Sequence, residues 1–130
     1  MAGYTLVNVK DVEDVAPKYG LAPNIDVRFP SEALGLEKSG LSYQRFAPNF
    51  RLPFGHRHFE QEEIYVLVSG SARAKLDDEI VDLRAWDILR VPPETVRSFE
   101  SGPDGAELVA FGAPRIESPE ADAELTPGWW

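Results

Sequence analysis

Short apolar runs separated by turn residues dominate the chain, and few runs exceed six residues. Ile25–Phe29, stopped by Pro30, reads as a strand, as does Leu41–Ala47, ended by Pro48 and Asn49. Tyr4–Val9 carries enough β-branched and apolar side chains to predict a first strand. Two helical turns are predicted near the start. One is Asp11–Ala16 with Asp11 as cap, the other Ser31–Leu34, capped by Ser31 and ended by Gly35. From Gly55 the pattern tightens. His56 and His58 alternate and so share one strand face. Ile64–Val68 is apolar at every position, which predicts a strand buried on both sides and turned at Ser69-Gly70. Ala72–Leu76 then runs back to a hairpin at Asp77-Asp78-Glu79. Ile80–Leu83, Ile88–Val91, Val96–Phe99 and Glu107–Phe111 follow, with turns at Trp86-Asp87, Pro92-Pro93 and Ser101–Gly105. Eleven prolines and ten glycines spread through 130 residues give the turns this reading needs. The expected class is all-β, a sandwich or small barrel with one or two short helical turns.

Composition narrows the function classes. The absence of cysteine removes disulfides, thiolate metal sites and thiol nucleophiles. Thirteen basic against twenty-two acidic residues give a net charge of −9, the wrong sign for binding nucleic acid or an anionic membrane surface. No apolar run approaches a membrane span, and the first ten residues lack a signal-peptide pattern, so a cytoplasmic location is expected. The acidic stretch from Ile116 ends in Trp129-Trp130, a pair expected to dock on the barrel or on a partner subunit.

The only two histidines lie in Gly55-His56-Arg57-His58, with Glu63 five residues beyond. Two imidazoles on one strand face, about 7 Å apart along the chain, and a carboxylate returned beside them on the neighbouring strand form a facial triad. Such a donor set suits a divalent transition metal such as Fe, Mn, Ni, Zn or Cu. Gln44 and Tyr43 are the nearest candidates for a further oxygen ligand.

These residues resemble the first motif of the cupin superfamily: His-x-His, four residues, Glu, six residues, Gly, here His56, His58, Glu63 and Gly70. Asn49 lies near the place of the family's opening glycine and tolerates the same left-handed turn. The second cupin motif, laid from Trp86 to Ser101, keeps only Pro92. Trp86 and Glu94 stand where the family has glycines, Arg97 where it has its third histidine ligand, and Ser101 where it has asparagine. The resemblance covers roughly residues 41–111. It implies a cupin-type double-stranded β-helix, a small jelly-roll barrel, within one domain of residues 1–130. The barrel core would span about 41–111, with N-terminal strands in 1–40, a tail in 112–130, and a homodimer as the assembly.

Arg97 opens two readings, because a guanidinium has no lone pair for a metal. In one, His56, His58 and Glu63 hold a metal and Arg97 clamps a small anionic substrate of a dioxygenase or isomerase, with Tyr65, Phe99 and Gln44 lining the pocket. In the other, Arg97 replaces the metal's charge by pairing with Glu63, and the barrel is a metal-free, non-catalytic binding protein. Trp86 is expected to be a packing residue.

Overall fold

The computed structural model describes residues 3–116 and 119–129. Eight strands carry the fold: β1 (Ile25–Arg28), β2 (Gly40–Phe46), β3 (Phe54–His58), β4 (Glu62–Leu76), β5 (Glu79–Arg84), β6 (Ile88–Val91), β7 (Arg97–Ala113) and β8 (Ala123–Pro127). Two four-residue helices, α1 (Ser31–Leu34) and α2 (Pro119–Asp122), complete it. The architecture is an all-β jelly roll, made by one sheet that folds back on itself. No helix among the described residues is long and apolar enough to cross a membrane.

Two long strands make the roll. β4 and β7 pair antiparallel from Glu62↔Ala113 to Leu76↔Arg97, with register shifts on either side of Ser69 and Gly70. The two halves of each strand therefore belong to different layers. One layer joins β1, β2, the C-terminal half of β7, the N-terminal half of β4, and β6. The other joins β8, β3, the N-terminal half of β7, the C-terminal half of β4, and β5. The bend between layers needs glycine. Gly70 sits at φ 78°, and a Cβ there would lie 2.0 Å from the Gly105 carbonyl oxygen.

Several expectations are corrected by these strands. Ser69-Gly70 and Ser101–Gly105 are bends inside continuous strands, because a bulge glycine and a turn glycine leave the same mark in sequence. Ile64–Val68 is buried on one face only: Tyr65 and Leu67 point into the core while Ile64 is exposed. Residues 4–8 form no strand, since no neighbouring strand edge pairs with them; a 3₁₀ turn follows at Val9–Asp11, capped by the Asn8 side chain, and another at Ala16–Tyr19. Ser31 does not cap its helix. Pro30 occupies that position, and the Ser31 hydroxyl donates to the Leu41 carbonyl. Trp86 is no packing residue: it is 71% exposed, in the left-handed conformation at φ 76°. Asn49 adopts the left-handed turn expected of it, at φ 54°. The tail is not separate from the roll, because β8 pairs with β3 along its whole length.

The core fills the space between layers with Ile25, Phe46, Tyr65, Leu67, Val91, Phe99 and Leu108. Ala72 and Ala74 are buried, whereas Arg73 ion-pairs with Glu100 on the outer face. Trp129 docks in cis. It packs against Gly55, where a Cβ would meet its ring at 2.9 Å, and Lys75 lies over that ring at 4.5 Å. Trp130 lies outside the described residues.

Candidate metal centre

The polar floor of the interior is assembled from both layers. His56 and His58 come from β3, and alternation along the strand turns both inward. Glu63 comes from the N-terminal half of β4 in the facing layer. Its carboxylate crosses the interior to the imidazoles, rather than standing beside them on a paired strand. Everything converges on one atom, Glu63 Oε1. His58 Nε2 lies 3.1 Å away, His56 Nε2 3.4 Å, and the Tyr65 hydroxyl donates to it at 2.6 Å. Arg97 Nη1 approaches the same oxygen at 3.7 Å. The two imidazole rings meet edge to face, their centroids 5.1 Å apart.

Arg97 is fully buried, at 0% exposure, and flanked by β3 and β4 at the start of β7. Its Nη2 donates to the Pro92 carbonyl at 2.8 Å, while Nε and Nη1 have no hydrogen-bond partner among the described residues. A molecule entering the interior meets the imidazoles and Glu63, which retain some exposure, before it meets Arg97.

Asp122, the last residue of α2, is the site residue that sequence reasoning missed. Its Oδ2 accepts from His58 Nδ1 at 3.1 Å, and its carboxylate also accepts from the backbone N–H groups of Glu60 and Gln61. With a metal at the triad, a carboxylate on Nδ1 would fix the tautomer that turns the Nε2 lone pair inward. Nothing local in the sequence joins residues 58 and 122. The only available signal was an acidic tail with a buried-type Trp at its end.

The protonation energetics follow from this crowding. Burial pushes the His56 imidazolium toward deprotonation, and it is only partly offset by the hydrogen bond and charge of Glu63. Burial alone would raise the Glu63 pKa. The hydrogen bonds from His56 and His58, the charge of His56 and the Tyr65 hydroxyl outweigh it and hold the carboxyl well below the usual carboxylate range. Burial raises the Tyr65 phenol well above its ordinary value, so it stays a donor.

The donor set fits a metal ion. Bond lengths of about 2.0–2.2 Å at right angles place ligand atoms about 3 Å apart, and the two imidazole nitrogens lie 3.1 and 3.4 Å from Glu63 Oε1. Among the described residues, His56, His58 and Glu63 form the group whose ligand atoms all lie within 4.8 Å of one another. Neither expected oxygen donor joins it by direct contact. The Tyr43 hydroxyl faces the outside of the layer, bonded to Glu107 and Lys10, whereas Gln44 on the opposite strand face lines the cavity.

Above the triad opens a cavity of about 710 Å³. Its deep walls are the buried Ile25, Leu52, Tyr65 and Phe99, with the Tyr65 and Phe99 rings 4.7 Å apart across the layers. Its rim includes exposed Tyr19, Phe29 and Leu125. An apolar chamber with polar groups at one end is the usual form of a small-molecule site.

No family model matches the chain. A 46-residue segment is 33% identical to the uncharacterized protein MJ1618 of Methanocaldococcus jannaschii, a match spanning 35% of this chain and 37% of that protein. Solved structures agree over nearly the whole length. A cupin protein (BF4112) from Bacteroides fragilis superposes with a TM-score of 0.71 at 23% identity, covering 90% of this chain and 89% of that one. A variant of Streptomyces PAC13, solved with uridine, gives 0.73 at 18% identity, covering 100% and 94%. A mutant of Bacillus subtilis oxalate decarboxylase gives 0.76 at 20% identity over 95% of this chain, which spans only 33% of that enzyme.

Proposed function

We propose, from a cupin fold that aims two imidazoles and a carboxylate into one apolar chamber, that this protein holds a divalent transition metal and acts on a small anionic molecule. The observation that carries this reading is the crowding at Glu63 Oε1. One carboxylate oxygen has about two lone pairs to offer, yet two ring nitrogens, a phenol and a guanidinium all approach it. As a metal-free network it is over-subscribed, and Arg97 Nη1 is left without a hydrogen bond among the described residues. As a set of metal ligands, spaced as ligands are, it is complete. His56, His58 and Glu63 would hold the ion, which would supply Lewis acidity beside the cavity.

The remaining side chains have separable tasks. Tyr65 fixes the Glu63 carboxylate by donating to it. Asp122 orients His58. Arg97 sits behind Glu63, so that with a divalent ion the floor is net positive and favours an anionic ligand. Phe99 and Tyr65 exclude water from the floor, and Gln44 offers an amide on the wall. Oxygen-dependent or isomerising chemistry is the reaction class that a two-histidine, one-carboxylate centre with free positions supports. A homodimer accompanies this reading: Leu6 and Ile88 expose large apolar surface that a second copy would cover, and light scattering measures the mass directly.

The test is stabilisation on refilling. Protein stripped of metal is melted with Fe(II), Mn, Ni, Zn or Cu added singly. A metal in hundredfold excess over its dissociation constant stabilises by about 2.7 kcal/mol. Wild type should gain this from at least one ion and His56→Ala from none. No shift with any ion removes the reading.

One observation favours a second function. The fully buried Arg97 stands 3.7 Å from Glu63 as a built-in counter-charge, which suits a metal-free binding protein.

A further inference from the structure

Most basic side chains of this acidic chain have a carboxylate partner: Lys18 pairs with Glu13, Arg45 with Asp26, Arg57 with Glu124, Arg90 with Glu62, and Arg97 with Glu63. Arg115 is different. It is half-buried, it lines the cavity, and no carboxylate among the described residues lies within ion-pair distance of it. Its guanidinium is nevertheless positioned, because Nη1 donates to the Leu36 carbonyl and its backbone N–H donates to the Lys38 carbonyl. Arg97, the other guanidinium on the cavity, is sealed beneath Glu63. The cation that a ligand in the chamber can reach is therefore Arg115.

Its distance from the triad is bounded by the chain. Gly112 stands directly opposite Glu63 in the β4–β7 register, and Arg115 follows three residues later. Three residues of extended chain span at most about 10 Å, and the strand pair adds about 5 Å, so the two backbone positions lie within about 15 Å. The wall between is mixed: Leu41, Ala110 and Ile116 are apolar, while the Gln61 amide covers Gly112 and donates to the Pro114 carbonyl, and Glu32 lies on the same cavity.

We infer that Arg115 is the anion-anchoring residue of the chamber, and that the ligand is bifunctional: an oxygen-bearing head at the triad and a carboxylate at the far end of a short linker. The head's placement rests on the metal reading above. The anchor does not, since a guanidinium takes a carboxylate with or without an ion nearby.

Two acids of matched head separate the claims. 2-Oxobutanoate carries an α-keto acid alone, and 2-oxoglutarate carries the same head with a distal carboxylate. Each is titrated by calorimetry into wild type, Arg115→Gln and Arg115→Lys, with metal and without, after elemental analysis has measured the loading. Wild type should bind 2-oxoglutarate at least about tenfold more tightly than 2-oxobutanoate. Arg115→Gln should lose that preference at unchanged metal content and melting temperature, and Arg115→Lys should recover part of it. Equal affinities in wild type, no binding of either acid, or a preference that survives in Arg115→Gln overturns the proposal. Loss of head binding on metal removal, with the preference for the diacid intact, supports the anchor. A chain that loads no metal sinks the metal reading while leaving the Arg115 comparison decisive.

Discussion

The two layers bring unequal halves of the site. The layer holding Glu63 is built from strands paired along their length, β2 with β7, β7 with β4, and β4 with β6. The layer holding the imidazoles is looser around its functional strand. β3 pairs in register with β7 at His56↔Arg97, beside one bond from the Ser98 hydroxyl to the Phe54 carbonyl, and its long pairing is with β8 in the tail. The carboxylate thus stands on a self-sufficient wall. The histidines stand on a wall that depends on Arg97 on one flank and on Asp122, β8 and Trp129 on the other. Ligand identity and ligand support are separate features, and here they come from distant stretches of chain.

The largest expected break is Arg97→Ala. In metal-free protein it removes the buried cation behind Glu63, leaves a nearly dry carboxylate without its counter-charge, and opens a void where β3 pairs with β7. Denaturant unfolding should show a loss of about 3–5 kcal/mol. An unchanged midpoint would mean that the two layers are not joined through this residue.

Asp122→Ala should come next. Three donors lose their acceptor, namely His58 Nδ1 and the N–H groups of Glu60 and Gln61, at a cost of about 2–4 kcal/mol. With His58 released from its tautomer, metal affinity should fall roughly 10–100-fold, read by competition with a chromophoric chelator. Equal affinity would show that the imidazole wall holds itself in place.

A smaller effect appears with pH in the metal-free protein. The His56 pKa lies below its ordinary 6.5 and that of Glu63 below its ordinary 4.5, so the unfolded chain binds more protons than the folded one in both ranges. Stability is therefore present above about 6.5, declines first as pH falls through the His56 range, and loses the Glu63 contribution only well below 4.5. Unfolding midpoints at descending pH should trace this, and His56→Gln should flatten the upper part and shrink the lower one, because His56 helps to hold the Glu63 carboxyl down.

Trp86→Gly gives the smallest change, and in the opposite direction. A non-glycine residue in the left-handed region costs about 1–2 kcal/mol, and Trp86 adopts it at φ 76° with its side chain exposed and off the cavity. The variant should melt slightly higher with metal binding untouched, which sets the corner between layers apart from the site.

How much of this was legible in the sequence divides along the same line. His56, His58 and Glu63 lie within eight residues, and strand alternation alone puts both imidazoles on one face. β1, β2 and β6 were bounded by proline and turn chemistry to within a residue or so. The layer exchange was not legible, because Gly70 and Gly105 are needed for left-handed backbone inside strands and sequence shows them only as breaks. The support of His58 was not legible either, because Asp122 lies 64 positions further along the chain and its neighbours read as a solvated tail. Residues 4–8 had strand-forming side chains but pair with no strand among the described residues, so propensity alone did not make one.

The central claim is that the triad is a metal centre and not a metal-free cluster balanced by Arg97. Elemental analysis of untagged protein, purified without chelator or metal resin, tests it most directly beside a His56→Ala control. The account predicts close to one equivalent of a transition metal in wild type and almost none in the control. No metal in the native protein, and none retained after refilling, would contradict it and leave Arg97 as the cation of the site.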